Sequence, residues 1–306
     1  MANWHEVLQE ITQSGSTLDI TRRRYLKKLH ELTKRNVIIY YSGWLQQTNH
    51  AQQAVPVAIN DEDKNGFMNA IHNLDRSLGL DLILHTPGGE VSATESLVDY
   101  LRSTFDTNIR AIVPQLAMSG GTMIACACKE ILMGRQSSLG PVDPQFQGLP
   151  AHGVVEEFKR AYEEIKRDQT KALVWQPILQ KYPPTFIGEC EKAMEWAKKM
   201  IKEWLLSGML ADNERKEEVA ERIVHELTDH ALTLSHSRHL SMTRCRELGL
   251  DVKALEDNQD LQDAVLSVHH TCMHTFSATP AYKIIENHNG IAFIKMRGLP
   301  IEVRAG

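Results

Sequence analysis

Two glycine-rich turns contain the residues whose types and spacing suit covalent chemistry. The first is Thr86-Pro-Gly-Gly89 and the second is Ala117-Met-Ser-Gly-Gly121, and each follows a short apolar run typical of a strand. Glycine lets the backbone adopt a positive φ or approach a ligand closely. Loops at the carboxyl ends of parallel strands lie along one edge of the sheet, so we expect the two turns to be neighbours in space.

Ser119, in the second turn, is predicted to lie where a helix begins, and two interpretations of its hydroxyl are open. It could cap the helix, as serine often does. It could instead be a nucleophile, because amide N–H groups at a helix N-terminus are unpaired and favour developing negative charge. The amide of Gly120, with that of Gly88 or Gly89, would then form an oxyanion hole for a tetrahedral intermediate.

Three segments in a fixed order give the chain a family resemblance. They are His85-Thr-Pro-Gly-Gly-Glu-Val91, Ala117-Met-Ser-Gly-Gly-Thr-Met-Ile-Ala125 and Ser137-Ser-Leu-Gly-Pro-Val-Asp-Pro-Gln145. Together they resemble the ClpP/crotonase superfamily, and within it the serine dehydrogenase proteinase family, a relative of ClpP and of signal peptide peptidase A. The likeness covers roughly residues 35–250 and is strong over 80–147.

The resemblance implies both a fold and a reaction. The fold is α/β and ClpP/crotonase-like, with a mainly parallel sheet and a helical C-terminal part. The reaction is hydrolysis of peptide bonds in peptides or unfolded proteins, in which Ser119 attacks the carbonyl carbon and the amides of Gly88 and Gly120 supply the oxyanion hole. The superfamily resemblance also implies a homo-oligomer based on three-fold symmetry.

The base that would activate Ser119 is less evident. ClpP-like enzymes have a histidine shortly after the strand that follows the serine helix, where this chain has Gly140-Pro-Val-Asp143. The resembled family is described as using a Ser–Asp–His triad, which implies Asp143 as the acid, although an aspartate between prolines could simply fix a turn. The resemblance favours His236 as the base, and His239 and His152 are alternatives.

A Ser–Lys dyad, as in signal peptide peptidase A, is the rival mechanism. A lysine base must be buried so that its pKa falls toward neutrality. Lys159, Lys166 and Lys171 are the candidates, but the surrounding helix is rich in glutamate. Carboxylates nearby would raise a lysine pKa, so these residues are more typical of a solvated helix face.

No metal or cofactor is expected. His236 and His239 are three residues apart, which would suit a metal pair, but no acidic or cysteine ligand with a clear spacing completes such a site. The chain contains no Gly-x-x-x-x-Gly-Lys-Ser/Thr loop and no Gly-x-Gly-x-x-Gly loop. We therefore expect neither an ATPase nor a nicotinamide-dependent dehydrogenase.

The elements that must position these residues alternate between strand-like and helix-like patterns up to about residue 150. Strands are predicted at 36–41, 80–84, 109–114 and 130–133, with helices at 61–78, 91–104 and 119–128. Such alternation indicates βα units and a mainly parallel sheet. Further helices are predicted near 153–173, 186–207, 213–228, 241–249 and 258–275, followed by a β-hairpin over 282–294 around an Asn-Gly turn.

The chain is predicted to have three parts. They are an N-terminal helical segment over 1–35, a ClpP/crotonase-like catalytic domain over 36–250, and a C-terminal helix and β-hairpin over 251–306. The basic run Arg22-Arg23-Arg24 is interpreted as a solvated helix face or an oligomer contact rather than as a nucleic-acid arm.

Composition limits the class of protein further. The 306 residues have a net charge of −5, which gives no reason to expect nucleic-acid binding. The five cysteines are odd in number and scattered, so we expect no disulfide framework and a reducing compartment. No stretch reaches the roughly 18 apolar residues of a membrane span. No N-terminal signal segment is visible, so a cytoplasmic location is expected.

Two other classes of function remain open. A crotonase-like acyl-CoA enzyme would use a similar oxyanion hole, but it would not need a serine at position 119. A catalytically silent binding or scaffold protein becomes the better interpretation if no base reaches Ser119.

Overall fold

A seven-stranded sheet organises the part of the chain that the computed structural model describes, residues 4–13, 18–46, 55–146, 148–228 and 238–298. The strands are β1 (Asn36–Ser42), β2 (Leu80–His85), β3 (Ile109–Val113), β4 (Leu116–Ala117), β5 (Glu130–Met133), β6 (Ser138–Leu139), β7 (Gln145–Phe146), β8 (Leu149–Pro150), β9 (Leu240–Ser241), β10 (Val252–Ala254), β11 (Ala281–Asn287) and β12 (Ala292–Met296). The large sheet has the order β10-β5-β3-β2-β1-β11-β12.

The helices of the described residues surround this sheet. They are α1 (Trp4–Gln13), α2 (Leu18–Thr33), α3 (Asp63–Ile71), α4 (Val91–Phe105), α5 (Gly120–Cys126), α6 (Ala151–Arg167), α7 (Ala172–Leu179), α8 (Phe186–Ser207), α9 (Lys216–Thr228), α10 (Met242–Leu248) and α11 (Gln259–Ala278). Short 3-10 turns lie at Arg76–Leu78, Gln169–Lys171 and Leu255–Asp257.

The pairing of the strands confirms an α/β fold with a mainly parallel sheet. The five strands from β10 to β1 are parallel to their neighbours, and β11 and β12 add an antiparallel hairpin at the β1 edge. The residues of β1 and β2 are buried on both faces, as is usual for a parallel sheet covered by helices. The predicted hairpin around Asn289 is confirmed.

Two apolar layers lie on opposite faces of the sheet. Alternate residues of β1 show the division, because Ile38 and Tyr40 pack in the layer that includes side chains of α3, α4, α5, α8 and α9. Val37, Ile39 and Tyr41 pack in the layer that includes side chains of α2 and α11. The short helix that begins after Ser119 is buried in the first layer, so that layer supports the candidate site.

The predicted helix over 61–78 is wrong in extent. The structure has α3 over Asp63–Ile71 and a separate 3-10 turn at Arg76–Leu78. Asn73 adopts a φ of 63°, which breaks the helix although the apolar spacing continues past it. The predicted helix over 153–173 likewise ends at Arg167, and α7 was not predicted. The division into three parts remains a prediction, and the large sheet contains strands from both 36–250 and 251–306.

A second, three-stranded sheet lies next to the serine turn. Its order is β4-β6-β9, with Ala117 paired to Leu139 and Leu139 paired to Leu240. Each of its strands has two residues, which is too short for a period-two pattern to reveal them in the sequence. This sheet brings the residues before Ser119, before Gly140 and after His239 into one row.

Candidate active site

Ser119 lies immediately before α5 in a strained backbone conformation. Its φ is 49° and its ψ is −112°, which a residue other than glycine adopts only when the surrounding structure enforces it. The side chain does not cap the helix, and the hydroxyl of this half-buried residue makes no hydrogen bond with the described residues. The capping interpretation is therefore not what the structure shows, and the hydroxyl remains available for chemistry.

The two glycine-rich turns are neighbours, as predicted. The Thr86 amide donates to the Leu116 carbonyl at 3.1 Å, and the Met118 amide donates to the Thr86 carbonyl at 3.0 Å. Gly88 has a φ of 95°, and a Cβ atom built on it would lie 2.6 Å from the Cβ atom of Ser119. Only glycine fits this contact, so the first turn is pressed directly against the serine.

Amide N–H groups converge beside Ser119. The amide of Gly120 begins α5 and has no acceptor among the described residues. The amide nitrogen of Gly89, also without an acceptor there, lies 3.3 Å from the position that a Cβ atom on Gly120 would take. The Gly88 amide, in contrast, donates to the Thr86 hydroxyl at 3.2 Å. Of these two glycines, only Gly89 therefore has an amide that is left without an acceptor among the described residues.

Ile59 is hydrogen-bonded to the backbone on both sides of Gly89 in the first turn. The sequence did not identify it as a residue of the site. Its amide donates to the Gly88 carbonyl at 2.8 Å, and its carbonyl accepts the Glu90 amide at 3.0 Å. Ile59 thereby forms a parallel bridge with Gly89. It lies outside any predicted strand, so no periodic pattern marks it in the sequence.

The loop that contains Asp143 is tied to the serine helix by Thr122. The Thr122 hydroxyl accepts the Gly140 amide at 3.0 Å and lies 2.9 Å from the Ala117 carbonyl and 2.8 Å from the Gly140 carbonyl. Thr122 is fully buried. Because Ala117 precedes Ser119 and Gly140 precedes Asp143, the Thr122 hydroxyl connects the serine turn to the loop that contains Asp143.

Asp143 is held inside the protein, with 6% of its surface exposed. Its Oδ1 accepts the backbone N–H of His152 at 3.4 Å. Burial, and next the negative charge of Asp143, raises the pKa of the Cys190 thiol. Because Cys190 lies in α8, the Asp143 carboxylate is close enough to that helix for its charge to affect it. An enclosed carboxylate on a loop fixed to the serine helix is a suitable group to orient a base.

The structure describes every predicted base except His236, which lies outside the described residues. The described candidates differ in their exposure. His239 is exposed and immediately precedes β9, whereas His152 is half-buried with its Nδ1 3.6 Å from Glu156. Lys159, Lys166 and Lys171 are all exposed. The Ser119 hydroxyl is hydrogen-bonded to none of these described residues.

Other kinds of site are not evident in the described residues. No group of three or more histidine, cysteine or acidic side chains there could hold a metal ion. No helix among them is long and apolar enough to cross a lipid bilayer.

The fold and the turn define a class of protein. A serine on a strained turn between a strand and a helix, beside unpaired amide groups at the carboxyl edge of a parallel sheet, is the arrangement of hydrolases with a serine nucleophile. The family comparison agrees with this class. Residues 8–266 match the family described as ClpP-like SDH-type serine proteinase, and the chain belongs to that family.

Two relatives come from Methanocaldococcus jannaschii. The chain is 32% identical to the uncharacterized protein MJ1495 over 191 residues, which are 62% of this chain and 58% of that protein. It is 30% identical to the uncharacterized protein MJ0137 over 229 residues, which are 74% of this chain and 72% of that protein.

Two solved structures are similar at low sequence identity. A mutant of ClpP1 from Listeria monocytogenes has a TM-score of 0.41 and 12% identity, and the match covers 76% of this chain and 98% of that chain. A mutant of the 1510-N membrane-bound stomatin-specific protease has a TM-score of 0.38 and 17% identity, covering 67% of this chain and 78% of that chain.

Proposed function

We propose that this protein is a serine peptidase that hydrolyses peptide bonds through an acyl-enzyme on Ser119. The observation that carries the proposal is the conformation of Ser119, with its strained backbone, its hydroxyl free of hydrogen bonds to the described residues, and Gly88 in contact with it. A structural serine at a helix start would use its hydroxyl to cap the helix. Membership of a serine proteinase family supports the same conclusion.

In the proposed reaction, the Ser119 hydroxyl attacks the carbonyl carbon of the peptide while a base takes its proton. The base then donates the proton to the leaving amine, and water hydrolyses the acyl-enzyme. We place the oxyanion hole at the amides of Gly120 and Gly89 rather than Gly88, because the Gly88 amide already donates to Thr86. Amide donors beside the developing oxyanion supply a large share of such catalysis.

We propose a triad in which Asp143 orients His236. Leu227 accepts a hydrogen bond of 2.8 Å from Val142, and Leu240 pairs with Leu139. The segment that contains His236 is therefore attached on both sides to the chain that runs from Leu139 to Asp143. This attachment favours His236 over the lysines of α6 and the 3-10 turn after it, since all of those named above are exposed and the Nζ of Lys171, in that turn, lies 3.3 Å from the carboxylate of Glu164.

The substrates we propose are short peptides or unfolded proteins, cleaved without ATP. We also propose a cytoplasmic homo-oligomer with three-fold symmetry. The five cysteines support a reducing compartment, because all of them are buried free thiols. Exposed apolar side chains on α6 and α7, those of Tyr162, Leu173 and Val174, support an association surface.

The experiment is to treat the purified protein with a fluorophosphonate and to assay cleavage of an unstructured peptide. Wild-type protein should be labelled at Ser119 and should cleave the peptide. Ser119→Ala should do neither while keeping the same thermal unfolding midpoint. Peptide cleavage that persists in Ser119→Ala would refute the proposal, and absence of both labelling and cleavage in the wild type would favour a silent scaffold.

A further inference from the structure

Lys283 and Asp63 form an ion pair that is closed off from solvent. The exposed fractions of their side chains are 0% and 1%. The Lys283 Nζ lies 2.8 Å from both carboxylate oxygens of Asp63 and donates to the carbonyl of Ala58, also at 2.8 Å. All three donors of the ammonium group therefore have acceptors.

The carboxylate of Asp63 also accepts a hydrogen bond from the stretch of chain that contains Ala58, at Asn60. Its Oδ2 accepts the hydroxyl of Tyr40 at 2.7 Å and the amide of Asn60 at 3.1 Å. The pair thus holds Ala58 through its carbonyl and Asn60 through its amide. Ile59 lies between these two anchors, so its backbone is fixed on both sides.

Stability alone does not account for this pair. Removing two charges from water costs free energy that their attraction often fails to repay, and apolar replacements can be as stable. Lys295 lies 3.7 Å from Asp63, and the pair is hydrogen-bonded to Tyr40 on β1 and to the backbone on either side of Ile59. This suggests that the placement of Ile59 is what the pair provides.

Ile59 in turn holds the glycine turn of the candidate site. Its amide bonds to Gly88 and its carbonyl to Glu90, on the two sides of Gly89. A Cβ atom on Gly89 would lie 2.2 Å from the Ile59 nitrogen, so the two backbones are in direct contact. Any shift of Ile59 would therefore move the Gly89 amide.

We propose that Lys283 and Asp63 are positioning residues for the oxyanion hole, which hold Ala58 and Ile59 so that the Gly89 amide points at the reacting carbonyl. The inference rests on the proposed function of Ser119. It concerns neither the nucleophile nor the base, because Lys283 is bonded to Asp63 and Ala58 and not to Ser119. A displacement of about 1 Å at such a donor is enough to slow catalysis by roughly a hundredfold.

The test uses the double variant Lys283→Met/Asp63→Asn. Both charges are removed together, so no buried charge is left unpaired, and the asparagine oxygen can still accept from Tyr40 and Asn60. What is lost is the donor to the Ala58 carbonyl. The matched control is Glu62→Gln/Lys295→Met, which removes the adjacent ion pair of 2.6 Å and the 3.7 Å approach of Lys295 to Asp63, but leaves the bonds from Lys283 to Asp63 and Ala58 in place.

We expect kcat for peptide cleavage to fall by about ten- to a hundredfold in the double variant, with KM within about twofold of wild type. Peptide affinity measured in a Ser119→Ala background should stay within about twofold, because oxyanion-hole donors act mainly on the charge that develops in the transition state. The control variant should keep wild-type kcat. The variant Lys283→Gln/Asp63→Asn, which retains an N–H donor for Ala58, should recover part of the lost rate.

Amide hydrogen exchange gives a readout that does not depend on catalysis. The amides of Ile59 and Glu90 should exchange faster in the double variant than in wild type or in the control. A folded double variant with wild-type kcat and unchanged exchange overturns the inference, and if the Met variant unfolds, the Gln variant is held to the same comparison. Loss of the proposed function would instead show as a wild type without Ser119-dependent cleavage, while the exchange result would still decide whether the pair holds Ile59.

Discussion

A Cβ atom on Gly88 would lie 2.6 Å from the Cβ atom of Ser119 and 2.7 Å from the carbonyl oxygen of Met118. The φ of Gly88, 95°, is in the left-handed region that side chains disfavour. Two independent constraints therefore require glycine at this position, one from the backbone conformation and one from the contact with the serine turn.

Gly88→Ala should abolish peptide cleavage and fluorophosphonate labelling, with a loss on the order of a hundredfold or more, because the serine turn must move to admit the methyl group. The control is Gly148→Ala. Gly148 also has a positive φ, 80°, but a Cβ atom there would meet nothing within 4 Å. It should show only the conformational cost of about 1–2 kcal/mol in the unfolding free energy. Equal labelling rates in the two variants would contradict this account.

Thr122 offers a test of how the loop that contains Asp143 is joined to the serine helix. Thr122→Val is nearly isosteric but leaves the buried Gly140 amide without its acceptor, which should lower the unfolding free energy by about 1–3 kcal/mol. It should also lower kcat, because the loop with Asp143 loses its link to the serine helix. Thr122→Ser keeps the hydroxyl and should retain most of the rate. If Val and Ser behave alike in both urea unfolding and kcat, the hydroxyl has no such role.

The glycine-rich turns were predictable because their chemistry is local. Each follows a strand with a clear apolar pattern, and adjacency of the turns follows from parallel pairing. The contact of Lys283 with Asp63 was not predictable, since the two residues are far apart in the chain and nothing in either neighbourhood marks a buried pair. The bridge of Ile59 to Gly89 depends on tertiary packing in the same way.

Buried histidines predict how stability depends on pH. Burial, and next the proximity of His270, lowers the pKa of His269 to about 3, and burial holds the pKa of His85 well below its usual value. The unfolded chain binds these protons near pH 6.5 while the folded protein does not. The unfolding free energy should therefore be retained above about pH 6.5 and fall below it, by up to about 1.4 kcal/mol per pH unit for each histidine.

The measurement is urea unfolding at about pH 7.5 and about pH 5, for wild type and His269→Phe. The variant should lose less free energy between the two pH values than wild type, whatever its stability at the higher pH. The exposed His72→Gln serves as the control and should retain the wild-type dependence. A wild-type slope that persists in His269→Phe would show that His269 is not a source of the acid sensitivity.

His236 is the proposed base, and the proposal rests on how the described residues on either side of its segment are attached. Val142 donates to Leu227, and Leu139 pairs with Leu240, so both flanks of the segment with His236 are fixed to the loop that leads to Asp143. His236→Ala should therefore reduce cleavage by about 10³-fold or more, close to the effect of Ser119→Ala, because members of a catalytic unit fail together. Asp143→Asn should also be severe, since the imidazole would lose its orientation.

Matched variants locate the base if it is not His236. His239→Ala and His152→Ala should retain most of the activity, as should Lys159→Ala and Lys171→Ala, whose side chains are exposed. All are assayed on one unstructured peptide, with thermal unfolding to confirm folding. Full activity in His236→Ala with loss in His239→Ala or His152→Ala would keep the triad and move its base. Full activity in all three histidine variants with loss in a lysine variant would replace the triad by a Ser–Lys dyad, because a serine hydroxyl without any base is a poor nucleophile at neutral pH.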